Sequence, residues 1–137
     1  MGDLVKEAYE VRDMIAEDHP EYAPLIQDIP VSVNNRMKRT IAWVRRQHRW
    51  DGSGDKCWME LNPLALGLNP EVKLDVFIHE WAHIIAGCDQ GHGYKWQRIC
   101  AQLGGVPSPY TQLKQRVPRA RWARAAARLS LHMEANK

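Results

Sequence analysis

Cysteine is scarce in this 137-residue chain, and Cys57, Cys88 and Cys100 never fall into a Cys-x-x-Cys pair. That spacing excludes a four-cysteine zinc ribbon, which needs two such pairs. An odd number of dispersed cysteines fits a reducing compartment, in which each thiol is a small buried or half-buried side chain. No run approaches the roughly 18 apolar residues of a bilayer-spanning helix, and the acidic start lacks the basic and apolar regions of a secretory signal. A cytoplasmic location without a membrane partner is expected. Repeats and low-complexity tracts are also lacking, apart from an alanine-arginine bias near the C-terminus. With a hydrophobic share of 45%, the chain is expected to fold as one domain over 1–137.

What the chain does have is His-Glu-Trp-Ala-His at 79–83 and a third histidine, His92, between Gly91 and Gly93. Residues four apart share a helix face, so His79 and His83 can each offer an imidazole nitrogen to a single ion. Glu80 then falls beside the metal and not on it. From Val76 to Ala86 the segment is apolar on every side except for the motif itself, which is how a buried helix reads. Two histidines and a carboxylate buried there need partners, and one divalent cation satisfies all three. A single Zn2+ suits these nitrogen ligands, with His92 completing three protein ligands and a fourth position left open. Such an ion polarises a carbonyl and lowers the pKa of bound water, and Glu80 is the general base and acid for peptide hydrolysis. Tyr94, Arg98 and Arg36 are candidates to stabilise the oxyanion, a role left unassigned.

The remaining elements predict an α+β fold, a zincin-like minidomain in which a small antiparallel sheet packs on the metal-binding helix with helices on either side. Leu4, Ala8, Val11 and Ile15 mark an amphipathic helix from Asp3 to about Glu17. Pro20, Pro24 and Pro30 suggest an extended connection. Strands are expected at Val31–Asn34, Thr40–Gln47 and around Cys57–Leu61, the last two joined by the glycine-rich hairpin loop Asp51–Asp55. Asn69 and Pro70 are a cap and first residue for the metal-binding helix, and Gly87 is its end. A further helix runs from Tyr94 to Leu103 with Trp96, Ile99, Cys100 and Leu103 inward, and a last, basic one is expected over about 118–135.

The chain resembles the SprT-like zinc metallopeptidases, the family of the Spartan-type proteases that act on DNA-protein crosslinks. The resemblance rests on His79-Glu80-x-x-His83 followed by Gly91-His92-Gly93-x-x-Trp96, and extends over about residues 4–105. Asn35–Ala42 looks like the family's basic strand and Met59–Leu64 like the strand before its active-site helix. The chain has neither the four-cysteine ribbon nor the long partner-binding tail of larger relatives, so the resemblance implies a minimal catalytic domain.

Charge is sharply segregated behind a net value of +3: residues 1–35 hold 8 acids and 2 bases, 36–50 hold 6 bases and no acid, and 114–137 hold 7 bases and 1 acid. Arg36, Lys38, Arg39, Arg45, Arg46 and Arg49 interleave with Trp43 and Trp50, and Arg121, Arg124 and Arg128 share a face of the last helix. Arginines for phosphates beside aromatic rings for bases are the parts of a single-strand binding surface. Together with the resemblance, they point to single-stranded or unwound DNA as partner, to DNA-associated proteins as substrate, and to the nucleoid if the host is bacterial. Two other readings stand beside this one. In a zinc protease of another clan, Asp89 replaces His92 as third ligand; in a non-catalytic DNA-binding or interaction module, the zinc serves stability alone.

Overall fold

A computed structural model of the chain describes residues 3–38, 40–48, 55–89 and 91–105. Helix α1, Leu4–Asp18, begins where Asp3 caps it: Asp3 Oδ1 accepts from the amides of Val5 at 3.0 Å and Lys6 at 3.2 Å. Leu4, Ala8, Val11 and Ile15 are all buried, so the apolar stripe carries the packing of the helix. Glu7 shares that face, and Lys73 Nζ meets it at 3.1 Å in an enclosed ion pair.

The prolines after α1 do not draw the chain into an extended connection. Pro20 and Pro24 sit instead in the first turns of a 3-10 turn, Pro20–Tyr22, and of a short helix α2, Ala23–Ile26. A first-turn N–H has no helical partner, so proline loses nothing there.

Three strands follow, β1 (Val31–Val33), β2 (Ala42–His48) and β3 (Asp55–Leu61), in the order β1-β3-β2. With the helices on either side of it, this sheet gives the expected α+β class. β2 and β3 pair antiparallel from Ala42 opposite Leu61 to His48 opposite Asp55, whereas β1 pairs parallel to β3, Val31 opposite Met59. The sheet is therefore mixed and not purely antiparallel, because β1 and β2, which flank β3, run in opposite directions. Met59 and Leu61 point into the core, while Trp58 and Glu60 lie on the other face.

Of Asn35–Ala42, which resembles the family's basic strand, only Ala42 is in a strand, as the first residue of β2; the described residues between 35 and 41 are the crossing from one sheet edge to the other. Its carbonyls find a side-chain partner in place of a neighbouring strand: buried Asn62 donates through Nδ2 to Met37 O at 3.2 Å and Thr40 O at 3.0 Å.

Asn62 also opens a 3-10 turn, Pro63–Gly67, by accepting from Leu64 N at 3.0 Å. Helix α3, Pro70–Ala86, is capped by Asn69, whose side chain accepts from Val72 N at 2.9 Å, and ends at Gly87 with φ 109°. Nearly all of α3 from Lys73 to Ala86 is buried, with Trp81 donating its indole N–H to Ala8 O at 3.0 Å. Helix α4, Tyr94–Gln102, returns along α3 with Trp96, Ile99 and Cys100 inward. Gly105 closes that contact: a Cβ there would stand 2.6 Å from Ile78 Cγ2. Among the described residues no helix is long and apolar enough to cross a membrane. The hairpin loop, expected at Asp51–Asp55, falls mainly outside the described residues, and the basic helix expected over about 118–135 lies wholly outside them.

The cysteines depart from expectation. Cys57 on β3 and Cys88 just past α3 form a disulfide, with Cα atoms 6.4 Å apart, and Cys100 is a buried thiol outside any disulfide. The pair is 31 residues apart in sequence and meets because α3 ends against the sheet, a tertiary proximity that spacing does not reveal.

Candidate metal centre

His79 and His83 stand one turn apart on α3, and the return after Gly87 brings His92 back to them. The three Nε2 atoms form a nearly regular triangle: His79 to His92 3.0 Å, His79 to His83 3.2 Å, His83 to His92 3.0 Å. The three histidines are positioned to hold a metal ion. The triangle's circumradius, about 1.8 Å, is shorter than a zinc–imidazole bond of about 2.0–2.1 Å, so a point at bonding distance from all three exists on the open side. Neutral imidazoles aimed at one centre cannot all satisfy one another by hydrogen bonding, because each Nε2 is either donor or acceptor. A cation between them accepts all three lone pairs.

Electrostatics keeps the ligands in the form a metal needs. Burial, reinforced by the neighbouring imidazoles His83 and His92, lowers the His79 pKa to about 3. Burial and His92 together lower His83 to about 4, against an opposing hydrogen bond to the Gly91 backbone. His92 is lowered by burial alone. All three are therefore neutral at pH 7, and only neutral imidazole ligates.

Trp96 forms the floor of the site. Its ring centroid lies 4.6 Å from that of His79, 5.2 Å from that of His83, against which it stacks at 21°, and 4.7 Å from that of His92. The sequence marked Trp96 as a core residue of α4 but did not show it as a support for the histidines; the clue was its place in the first turn of α4, four residues after His92. The Gly91 backbone, which orients His83, was not identifiable, and neither was Cys88, which lines the cleft.

Glu80 is buried and places Oε1 3.7 Å from His79 Nε2, beside the triangle and outside it. It faces a cleft of about 310 Å³ whose lining includes the three histidines, Gly91 and the β2 residues Ala42, Trp43 and Val44. Asn62 N donates to Ile41 O at 2.7 Å, which sets the phase of the β2–β3 ladder. Ala42 and Val44 accordingly turn their main-chain groups away from β3, toward the outer sheet edge at the cleft. The same phase turns Met59 and Leu61 toward β1, as their bonds to Pro30 O and from Asn34 N require.

Asp89 stays outside the histidine group, which counts against its replacing His92. Tyr94 is 79% exposed, and neither it nor Arg98 or Arg36 lines the cleft. Among the nucleic-acid candidates, Arg36, Lys38, Arg45 and Arg46 are exposed. Trp43 is half-buried: its indole N–H donates to Glu60 Oε1 at 2.6 Å, and Arg45 lies over its ring at 5.2 Å. Trp58 and Asn34 also donate to Glu60, at 2.9 and 3.1 Å. Burial alone would raise the Glu60 pKa, but these donors and Arg45 hold it below the ordinary carboxylate value. Arg39, Arg49, Trp50, Arg121, Arg124 and Arg128 lie outside the described residues.

Neither the curated proteins nor the solved structures gave a match to the chain. A family model did, that of the SprT-like family, over residues 11–130. That span takes in α3, the return loop and α4, and so every residue of the histidine cluster; the chain belongs to the SprT-like family.

Proposed function

We propose that the chain is a zinc-dependent metallopeptidase whose substrates are proteins held on DNA. The observation that carries the reading is the convergence of three histidine Nε2 atoms, 3.0–3.2 Å apart, with the Glu80 carboxylate beside them in the lining of a cleft. A donor set of three neutral nitrogens with an open side suits catalytic zinc. When bound there, zinc supplies Lewis acidity toward a peptide carbonyl and toward water.

The chain's own residues account for the rest. Ala42 and Val44 offer main-chain groups along the outer edge of β2, where an extended peptide can add as a strand without a required sequence. Glu80 takes a proton from the attacking water and passes it to the leaving amine, a transfer its place one residue after His79 permits. His79, His83 and His92, kept neutral by burial, hold the metal and do not compete for that proton. Exposed Arg36, Lys38, Arg45 and Arg46, with the basic C-terminal segment, support contact with single-stranded or unwound DNA. Action on DNA-associated proteins would place the enzyme in the cytoplasm, at the nucleoid in a bacterial host.

Zinc content and proteolysis, measured on wild type and Glu80→Gln with and without DNA, test this reading. Glu80→Gln is expected to keep fold and zinc and to lose at least about two orders of magnitude in peptide hydrolysis. Undiminished cleavage by that variant would assign the chemistry to another group.

A further inference from the structure

Cys88 follows Gly87, the residue that ends α3, and leads into the return that carries His92. Its sulfur is bonded to Cys57 in β3, the middle strand of the sheet. Cys88 also lines the cleft together with all three histidines, and both half-cystines are only half-buried. A small reductant in solvent therefore has access to the bond.

The return depends on such a tie. Gly87, Gly91 and Gly93 give its backbone wide conformational freedom, and Gly91 adopts φ 60° with no atom near the position of a Cβ. On the C-terminal side His92 is anchored by α4: Gln97 Nε2 donates to its carbonyl at 3.1 Å, and Trp96 packs against its ring. On the N-terminal side the covalent link to β3 holds the chain. His92 is also the most exposed of the three ligands, so its position owes least to side-chain packing and most to its loop.

We propose that Cys57 and Cys88 form a redox modification site that sets the affinity of the metal centre, an inference that rests on the three histidines binding zinc as argued above. A dithiol-class reductant delivers two electrons and two protons to the disulfide; the S–S bond breaks, Cys57 and Cys88 become thiols, and the dithiol closes to its own disulfide. The released return must then be ordered each time His92 meets the metal, and that lost entropy is subtracted from binding. Oxidised protein holds zinc tightly, and reduced protein holds it weakly and loses it faster.

The test uses the full chain before and after treatment with a water-soluble phosphine, which takes up oxygen from water as it reduces the disulfide and avoids the zinc chelation of dithiols. Thiols titrated after denaturation should number one in the oxidised protein and three after reduction. Zinc affinity, read by competition with a chromogenic chelator, is expected to fall about tenfold or more on reduction, the scale at which loss of ligand support is felt. Reoxidation should restore it. The double variant Cys57→Ser, Cys88→Ser should bind zinc like reduced wild type and ignore the phosphine; if that variant does not fold, the wild-type comparison, with circular dichroism to confirm a retained fold, decides the matter. Equal affinity in both states overturns the proposal, as does tighter binding on reduction, global unfolding on reduction, or three free thiols in oxidant-treated protein. No zinc binding in either state is a different result: it overturns the metal reading, and this inference with it.

Discussion

Trp96 holds His79 at two points: its indole N–H donates to the His79 carbonyl at 3.2 Å, and its ring meets the His79 imidazole edge-on at 4.6 Å. One side chain from α4 thus fixes both the backbone and the ring of a ligand on α3, and the same ring stacks on His83. The two helices cannot slide past each other without disturbing the metal centre.

Trp96→Ala is expected to cost about 3–5 kcal/mol of stability, the usual range for emptying a buried aromatic site, and to weaken zinc binding. Trp96→Phe keeps a ring against the histidines and gives up the hydrogen bond, a loss of about 1 kcal/mol. Denaturant unfolding and zinc titration of the two variants check this; equal zinc affinity in wild type and Trp96→Ala would show that the ligands need no floor.

His92→Ala should strip most of the zinc, and Asp89→Ala should leave it in place. Metal analysis after dialysis separates them. The opposite pattern would make Asp89 the third ligand despite its place outside the histidine group.

Acid should destabilise the metal-free protein earlier than ordinary carboxylate titration would. The folded state holds His79 at about 3 and His83 at about 4, chiefly through burial, whereas the unfolded chain takes up those protons near pH 6.5. The contribution of these groups is therefore fully present above about pH 6.5 and is lost as pH falls toward the folded values, because the unfolded state binds protons that the folded state refuses. Urea midpoints measured with a chelator between pH 7.5 and 4.5 should show the decline, and replacing both histidines by Asn should flatten it.

DNA affinity should fall steeply with salt, since phosphate contacts release counterions, and replacing Arg121, Arg124 and Arg128 together should reduce that slope while leaving zinc content unchanged. A titration that finds no binding to any DNA at low salt would remove the crosslink-repair reading and leave the peptidase chemistry standing.

The meeting of the three histidines was legible in the sequence because helical periodicity alone puts His79 and His83 on one face, and the glycines around His92 announce a tight return. The caps at Asn69 and Gly87 were legible for the same reason, since their chemistry is local. Tertiary relations were not. The parallel seat of β1 depends on β3 arriving later in the chain, and Cys57 and Cys88 become neighbours only when α3 ends beside the sheet. The bond from the Trp43 indole N–H to Glu60, opposite it across the strands, was not legible either, because the pairing of β2 with β3 sets which acid it meets. Asn35–Ala42 resembled a strand of the family, yet the chain before Ala42 forms a crossing, where Asn62 just past β3 supplies to Met37 and Thr40 the hydrogen bonds that a neighbouring strand would have given.

Sheet order also separates local from distant pairings along the chain. β2 and β3 are consecutive and can zip together early, whereas Val31 must wait for Met59 to be in place before β1 has a partner. All three histidines positioned to hold a metal, by contrast, fall between residues 79 and 92. The metal centre is thus a low-contact-order feature set in a fold whose sheet closes late, and an ion captured by the nascent α3 and its return would serve as a nucleus on which the slower sheet condenses.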